Sequence, residues 1–134
     1  MRDLVLYAHI ILGLVSIGLA IYILTNLKSK SIKTIAIVNA FINWLIVLPA
    51  GFLYLVFYPA TKTVIKAGSS PWAHSVIMET KEHWGLLLPL VTTTATGLVL
   101  AGKAKESRKW WGLVLALTIL IAVLGRALKL GAVS

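Results

Sequence analysis

Four long apolar runs, separated by charged gaps, constrain this chain more than any other feature. They cover residues 4–27, 35–58, 84–101 and 110–128. Within the first, His9 and Ser16 are the strongly polar residues before Thr25 and Asn26 close it. Each run reaches the roughly 18–20 residues that cross about 30 Å of hydrocarbon at about 1.5 Å per residue. A barrel strand is about half as long and alternates in polarity, so helices are the reading. The sequence therefore predicts an all-α fold: one transmembrane domain over 1–134, a four-helix bundle running up-down-up-down. The expected helices are 4–27, 34–58, 71–102 and 109–130. The first run is too long for the apolar core of a signal peptide and reads as a retained helix.

Composition supports the same solvent. Hydrophobic residues make up 59% of the 134 and charged residues 13%. A soluble domain carries about 25% charged residues, so water is a poor match for most of this surface. The net charge is +9, which on a soluble protein raises nucleic acid as a partner. Here the basic residues sit in gaps between apolar runs, and no basic stripe interleaves with base-stacking aromatics. That pattern suits anionic lipid headgroups and argues against nucleic acid. With no cysteine, disulfides, iron–sulfur clusters, thiolate zinc sites and cysteine nucleophiles are excluded.

The gaps differ in kind. Residues 28–33 and 102–109 are short basic links, whereas 59–83 is long. Inside it, Gly68-Ser69-Ser70-Pro71 reads as a break followed by a helix start. Ser70 is the expected N-cap and Pro71 the first helical residue. Helix three should then project past the bilayer, with a kink at Pro89. Lys28, Lys30, Lys33, Lys103, Lys105, Arg108 and Lys109 crowd the short links. The positive-inside rule then puts both termini and 59–83 outside the cytoplasm of a multi-pass cell-membrane protein. Trp84, Trp110, Trp111, Tyr7 and Tyr58 lie near run ends, as an interfacial aromatic belt would.

Up-down topology brings His9, His74 and His83 to one side. His9 is about five residues, or roughly 7–8 Å, inside its run. A titratable group there is costly and is read first as functional. One reading is a b-type haem between helices one and three, with His9 and His83 as axial ligands. Gly13, one turn below His9, would let a flat ring approach, Gly51 is small in the same half, and Arg126 could neutralise a propionate. The plain alternative is a histidine bonded to a neighbouring helix, with Arg126 and Lys129 snorkelling. A second constellation is Glu79, Glu82 and His83, in which Glu79 and His83 share a face at i, i+4. Carboxylate plus imidazole suits zinc, iron or copper, giving His9, Glu79 and His83 as a metal set. Glu79 could instead orient His83 as an outer acceptor, or the segment could be a solvated helix with Glu–Lys pairs. His74 is out of phase with His83 on a straight helix. Deeper in, Asn39 and Asn43 in helix two and Thr92, Thr93, Thr94 and Thr96 in helix three read as interhelical glue, with a proton or quinone path as the minor alternative.

At His9 and at Glu82-His83-Trp84-Gly85, the chain resembles small four-helix membrane proteins of the cytochrome b type. The resemblance lies in architecture and histidine placement over the four runs. It implies His9 and His83 as haem ligands and electron transfer to a quinone or a partner complex. It departs from a two-haem pattern, since one clean histidine pair lies near the core. No Walker loop, HExxH, GxSxG or kinase pattern occurs. The sequence thus leaves three functions open: a redox subunit, a cofactor-free accessory subunit of a larger membrane complex, and a membrane metal-binding protein. The Lys- and Ile-rich style suggests a prokaryotic source.

Overall fold

A computed structural model of the chain describes residues 1–133, with side chains through Leu128; the Lys129 side chain lies outside the described set. The helices are α1 (Arg2–Thr25), α2 (Ile32–Phe52), α3 (Tyr58–Ala67), α4 (Glu79–Leu100) and α5 (Ala104–Val133). Two π-helical segments join them: Leu53–Phe57 links α2 to α3, and Ala73–Met78 leads into α4. No strand occurs among the described residues.

The helix ends follow local chemistry. At the end of α1, Thr25 donates to the Ile21 carbonyl at 3.0 Å and the Asn26 amide donates to Tyr22 at 3.0 Å. The Tyr22 carbonyl is one of those that the helix leaves without an N–H donor four residues on, and the Asn26 side chain satisfies it. After α4, Gly102 adopts φ +78°. The Lys103 amide reaches back to Leu98 at 2.8 Å and that of Gly102 to Val99 at 3.1 Å. This left-handed stop favours glycine and turns the chain at once into α5.

Helix α1 packs on α2 and α5, and α4 packs on the same two helices. The four columns therefore form a square in chain order, with α1 diagonal to α4. Short links make consecutive neighbours antiparallel, as in up-down bundles. The core is Ala20, Ile23, Ala36, Leu88, Val91, Ala95, Val99, Trp111, Val114 and Leu117, with Ile32. A smaller cluster of Tyr58, Ile65, Ala73, Ile77, Met78 and Leu128 packs α3 against the π segment before α4 and the end of α5.

Polarity is arranged from the inside out. Ser16, Asn39, Asn43, Thr92, Thr96, Ser107 and Thr118 are buried. Meanwhile Leu4, Ile11, Leu14, Phe41, Leu48, Leu55, Leu90 and Val123 are exposed. Hydrogen bonds consume much of this interior polarity. Ser16 donates to Asn43 Oδ1 at 3.3 Å, and Asn43 Nδ2 reaches Ser16 Oγ at 3.0 Å and Asn39 Oδ1 at 3.2 Å. Thr96 donates to the Ala36 carbonyl at 3.0 Å, tying α4 to α2. The Trp44 indole donates to Thr93 at 2.9 Å across the same pair of helices. The asparagine–threonine glue expected from sequence is thus partly in place, with Ser16 as the partner that expectation lacked.

Several boundaries differ from the sequence reading. The helix expected to stop at 58 continues without a break to Ala67, and 59–83 is mostly helical rather than a loop. Pro59 follows the Leu53–Phe57 segment inside this continuous helix, and its missing N–H leaves a carbonyl one turn back without its helical donor. Chain break and restart do fall at Gly68–Pro71, where the turn closes through Ala73 N to the Ser70 carbonyl at 3.0 Å. Trp111 and Tyr58 are not belt residues: both are buried, Trp111 completely. Tyr7, Trp72 and Trp84 do face outward.

Four helical stretches are long and apolar enough to cross a membrane: Arg2–Thr25, Ile32–Ala67, Ala73–Leu100 and Ala104–Leu128. The second has 36 residues, about 54 Å of helix against about 30 Å of hydrocarbon. In vesicle-reconstituted protein, cysteines introduced singly at Ser29 and Gly68 are expected to label from opposite sides with a membrane-impermeant maleimide. Labelling of both from one side would rule out four crossings.

Candidate functional site at the wide end of the bundle

Both π segments lie at the end of the bundle opposite the short links. A π turn carries an extra residue and recurs at functional sites. Here the two segments bring Tyr54, Tyr58 and His74 to face Glu79 and Glu82 on the first turn of α4. Tyr58 Oη lies 2.8 Å from His74 Nδ1, and His74 Nε2 lies 3.7 Å from Glu79 Oε1. With the proton on Nε2 facing the carboxylate, Nδ1 accepts from the tyrosine. Tyr58 and His74 are buried, and Tyr54 stacks on Tyr58 with ring centroids 5.4 Å apart. The Tyr54 hydroxyl is within electrostatic reach of Glu82. The result is a chain of proton-exchanging groups, Tyr58–His74–Glu79, held between α3 and α4.

His9 enters this end from α1. It shares the inward stripe of its helix with Ser16, Ala20 and Ile23, and its Nδ1 is shielded from solvent with no hydrogen-bond partner. The charged group acting on it is Lys81. The Lys81 stem crosses the interior to α5, where a Cβ on Gly125 would stand 3.4 Å from Lys81 Cε. The ion pairs among the described residues are Arg2–Asp3 and His74–Glu79, so Lys81 has no carboxylate at pairing distance. A shielded imidazole nitrogen without a partner and an ammonium whose charge acts on it thus lie at the same end of the bundle interior, both able to donate to a hydrogen-bond acceptor.

The residues expected to form the site are split. His83 is exposed, and its Nδ1–H donates to the Glu79 carbonyl at 2.6 Å. That bond orients the ring and leaves Nε2 free. The helical turn nonetheless aims His83 outward, because Lys81, two residues earlier, holds the inward face. The Glu79 carboxylate turns to His74 rather than to His83. No group of three His, Asp or Glu that could hold a metal ion occurs among the described residues. Arg126 is exposed. Gly13 has nothing within 4 Å of where a Cβ would sit.

A haem held by both His9 and His83 can be tested on this geometry. His9 suits a ligand, with a shielded free nitrogen and open space at Gly13. His83 does not meet it, since α1 and α4 are diagonal and the His83 ring faces out. No step is therefore assigned to haem. Sequence reasoning missed Lys81, which it placed in a solvated face of Glu–Lys pairs. The spacing Lys81, Gly85, Leu88, Thr92 was the available signal: it is one helical stripe, and Leu88 and Thr92 are buried.

Compared with known proteins, the chain matches no family model, and neither a curated protein nor a solved structure matches it. The architecture defines a class, a four-column helical bundle with polar groups inside and apolar groups outside. Within that class the chain stands on its own geometry.

Proposed function

We propose that the protein is a multi-pass membrane redox subunit that binds a quinone headgroup through His9 and Lys81 and exchanges electrons with a partner complex. The observation that carries this reading is the shielded, unpartnered His9 Nδ1 beside an unpaired Lys81 ammonium in a bundle whose outer surface is apolar. Titratable groups inside such a bundle are expensive to keep and mark function. At the same end, an open groove of about 510 Å³ runs between α1 and α2. Its walls include Leu4, Ala8, Leu12, Leu48 and Phe52, which suits an isoprenoid tail arriving from lipid. His9 and Lys81 would donate to one quinone carbonyl. Reduction takes two electrons from the partner's redox centre and two protons, yielding the quinol. In this reading the Tyr58–His74–Glu79 chain would resupply the protons.

The test is the quinone content of protein purified in mild detergent. About one quinone per chain is expected, falling at least tenfold in His9→Leu and in Lys81→Met, with His83→Ala unaffected. Equal content in all four proteins would overturn the reading. A reduced-minus-oxidised haem spectrum lost in both His9→Ala and His83→Ala would replace it with the haem cytochrome. Colourless, quinone-free and metal-free protein whose deletion disassembles a larger complex would leave the accessory-subunit role.

A further inference from the structure

The end of the bundle opposite His9 carries its own cleft, of about 750 Å³. Lys105, Arg108, Lys109, Trp110 and Gly112 line it on α5, with Leu24 of α1 and Leu98 of α4 on either side. The three cations and Gly112 stand at i, i+3, i+4 and i+7, which is one helical face. That face is the outward one: Ser107, Trp111 and Val114 hold the opposite, buried side of the same turns. The three cations are exposed, and none belongs to an ion pair among the described residues. Glu106 also lines the cleft and is likewise in neither ion pair. Below the cations, Gly112 has nothing within 4 Å of a built Cβ, so the face falls from a cationic rim to a shallow apolar trough.

We propose that this cleft binds one anionic phospholipid, its phosphate held by Lys105, Arg108 and Lys109 and an acyl chain laid over Gly112. The occupant follows from the order of the chemistry along one face. Charge for a phosphate comes at the helix start, and a bare glycine surface for a hydrocarbon chain comes one turn deeper. Arginine grips phosphate oxygens through paired N–H groups, and lysines add point charge. A soluble phosphate would use the rim and ignore the trough. An acidic peptide would likewise need no glycine below it. Basic pockets between membrane helices hold such headgroups, and each basic residue near an anionic surface strengthens attachment by about fivefold. The inference rests on the membrane reading but not on the quinone.

Native mass spectrometry of the full chain released from detergent, with phosphatidylglycerol, phosphatidylcholine or inorganic phosphate added, tests it. One retained phosphatidylglycerol per chain is expected, at least tenfold preferred over phosphatidylcholine. Lys105→Gln with Lys109→Gln should cut retention by more than tenfold. Gly112→Leu, which leaves all charges in place, should weaken phosphatidylglycerol while leaving phosphate untouched. Equal retention of the two lipids, or indifference to Gly112→Leu, overturns the site. The Ser29 and Gly68 labelling, run on the same variants, separates this failure from failure to cross the membrane.

Discussion

Trp111→Ala is expected to lower the unfolding free energy by about 3–5 kcal/mol, the range for emptying a large aromatic site in a packed core. Trp111 is completely buried, among Val114, Leu117, Ala95 and Val99 of the core. The neighbours belong to rigid helices and cannot collapse into the space it leaves. A companion variant separates packing from polarity. The Trp111 Nε1 is buried without a hydrogen-bond partner, so Trp111→Phe removes an unsatisfied donor together with part of the ring. Removing such a donor recovers about 1–3 kcal/mol, which offsets much of the lost volume. Trp111→Phe should therefore fall within about 1 kcal/mol of wild type by the standard of volume-conserving swaps. Unfolding in mixed micelles, followed by helix signal, measures both. A Phe variant as damaged as the Ala variant would mean that the indole N–H has a partner.

The second large effect falls on the clamp between α1 and α2. Asn43→Leu should cost about 2 kcal/mol. Its side chain bonds Ser16, the Asn39 carbonyl and Asn39 Oδ1. Interhelical hydrogen bonds of this kind average about 0.6 kcal/mol each and reach about 1.7, so no single bond explains the figure. The remainder is Ser16, left buried without its partner. A double-mutant cycle isolates that part: Ser16→Ala alone should be mild, and the pair less costly than the sum by about 1 kcal/mol. Strict additivity would mean that the two side chains do not work as a unit.

Much of the all-helical fold was legible because long helices are written in plain apolar runs. What was not legible has physical causes. Helix α1 is apolar all round, so hydrophobic periodicity gives no inward face. The few polar residues mark it instead, with His9, Ser16 and buried Ala20 in one stripe. Thr61, Lys62, Thr63 and Lys66 after Pro59 read as a loop, yet α3 persists because Tyr58 and Ile65 are buried against the π segment before α4. A π turn leaves no signature in apolar sequence, so the meeting of Tyr58 with His74 could not be foreseen. Aromatics near run ends were assigned to the belt by position alone, which misplaced Trp111. Of the residues singled out, His9, His74 and His83 do share one end of the bundle, whereas Lys81 was hidden by its acidic neighbours in sequence.

The clamp between Ser16 and Asn43 bears on how the molecule is made. It closes entirely within the first helical hairpin, before the ribosome has supplied α4 or α5. The nascent hairpin therefore leaves the translation machinery with most of its amide chemistry already internal. What it still offers is the Asn39 Nδ2, buried without a partner even in the finished bundle, and the Ala36 carbonyl that Thr96 later claims. Both sit on the face that the second hairpin must cover. Synthesis order and bonding order agree, so the first half is a finished template awaiting the second.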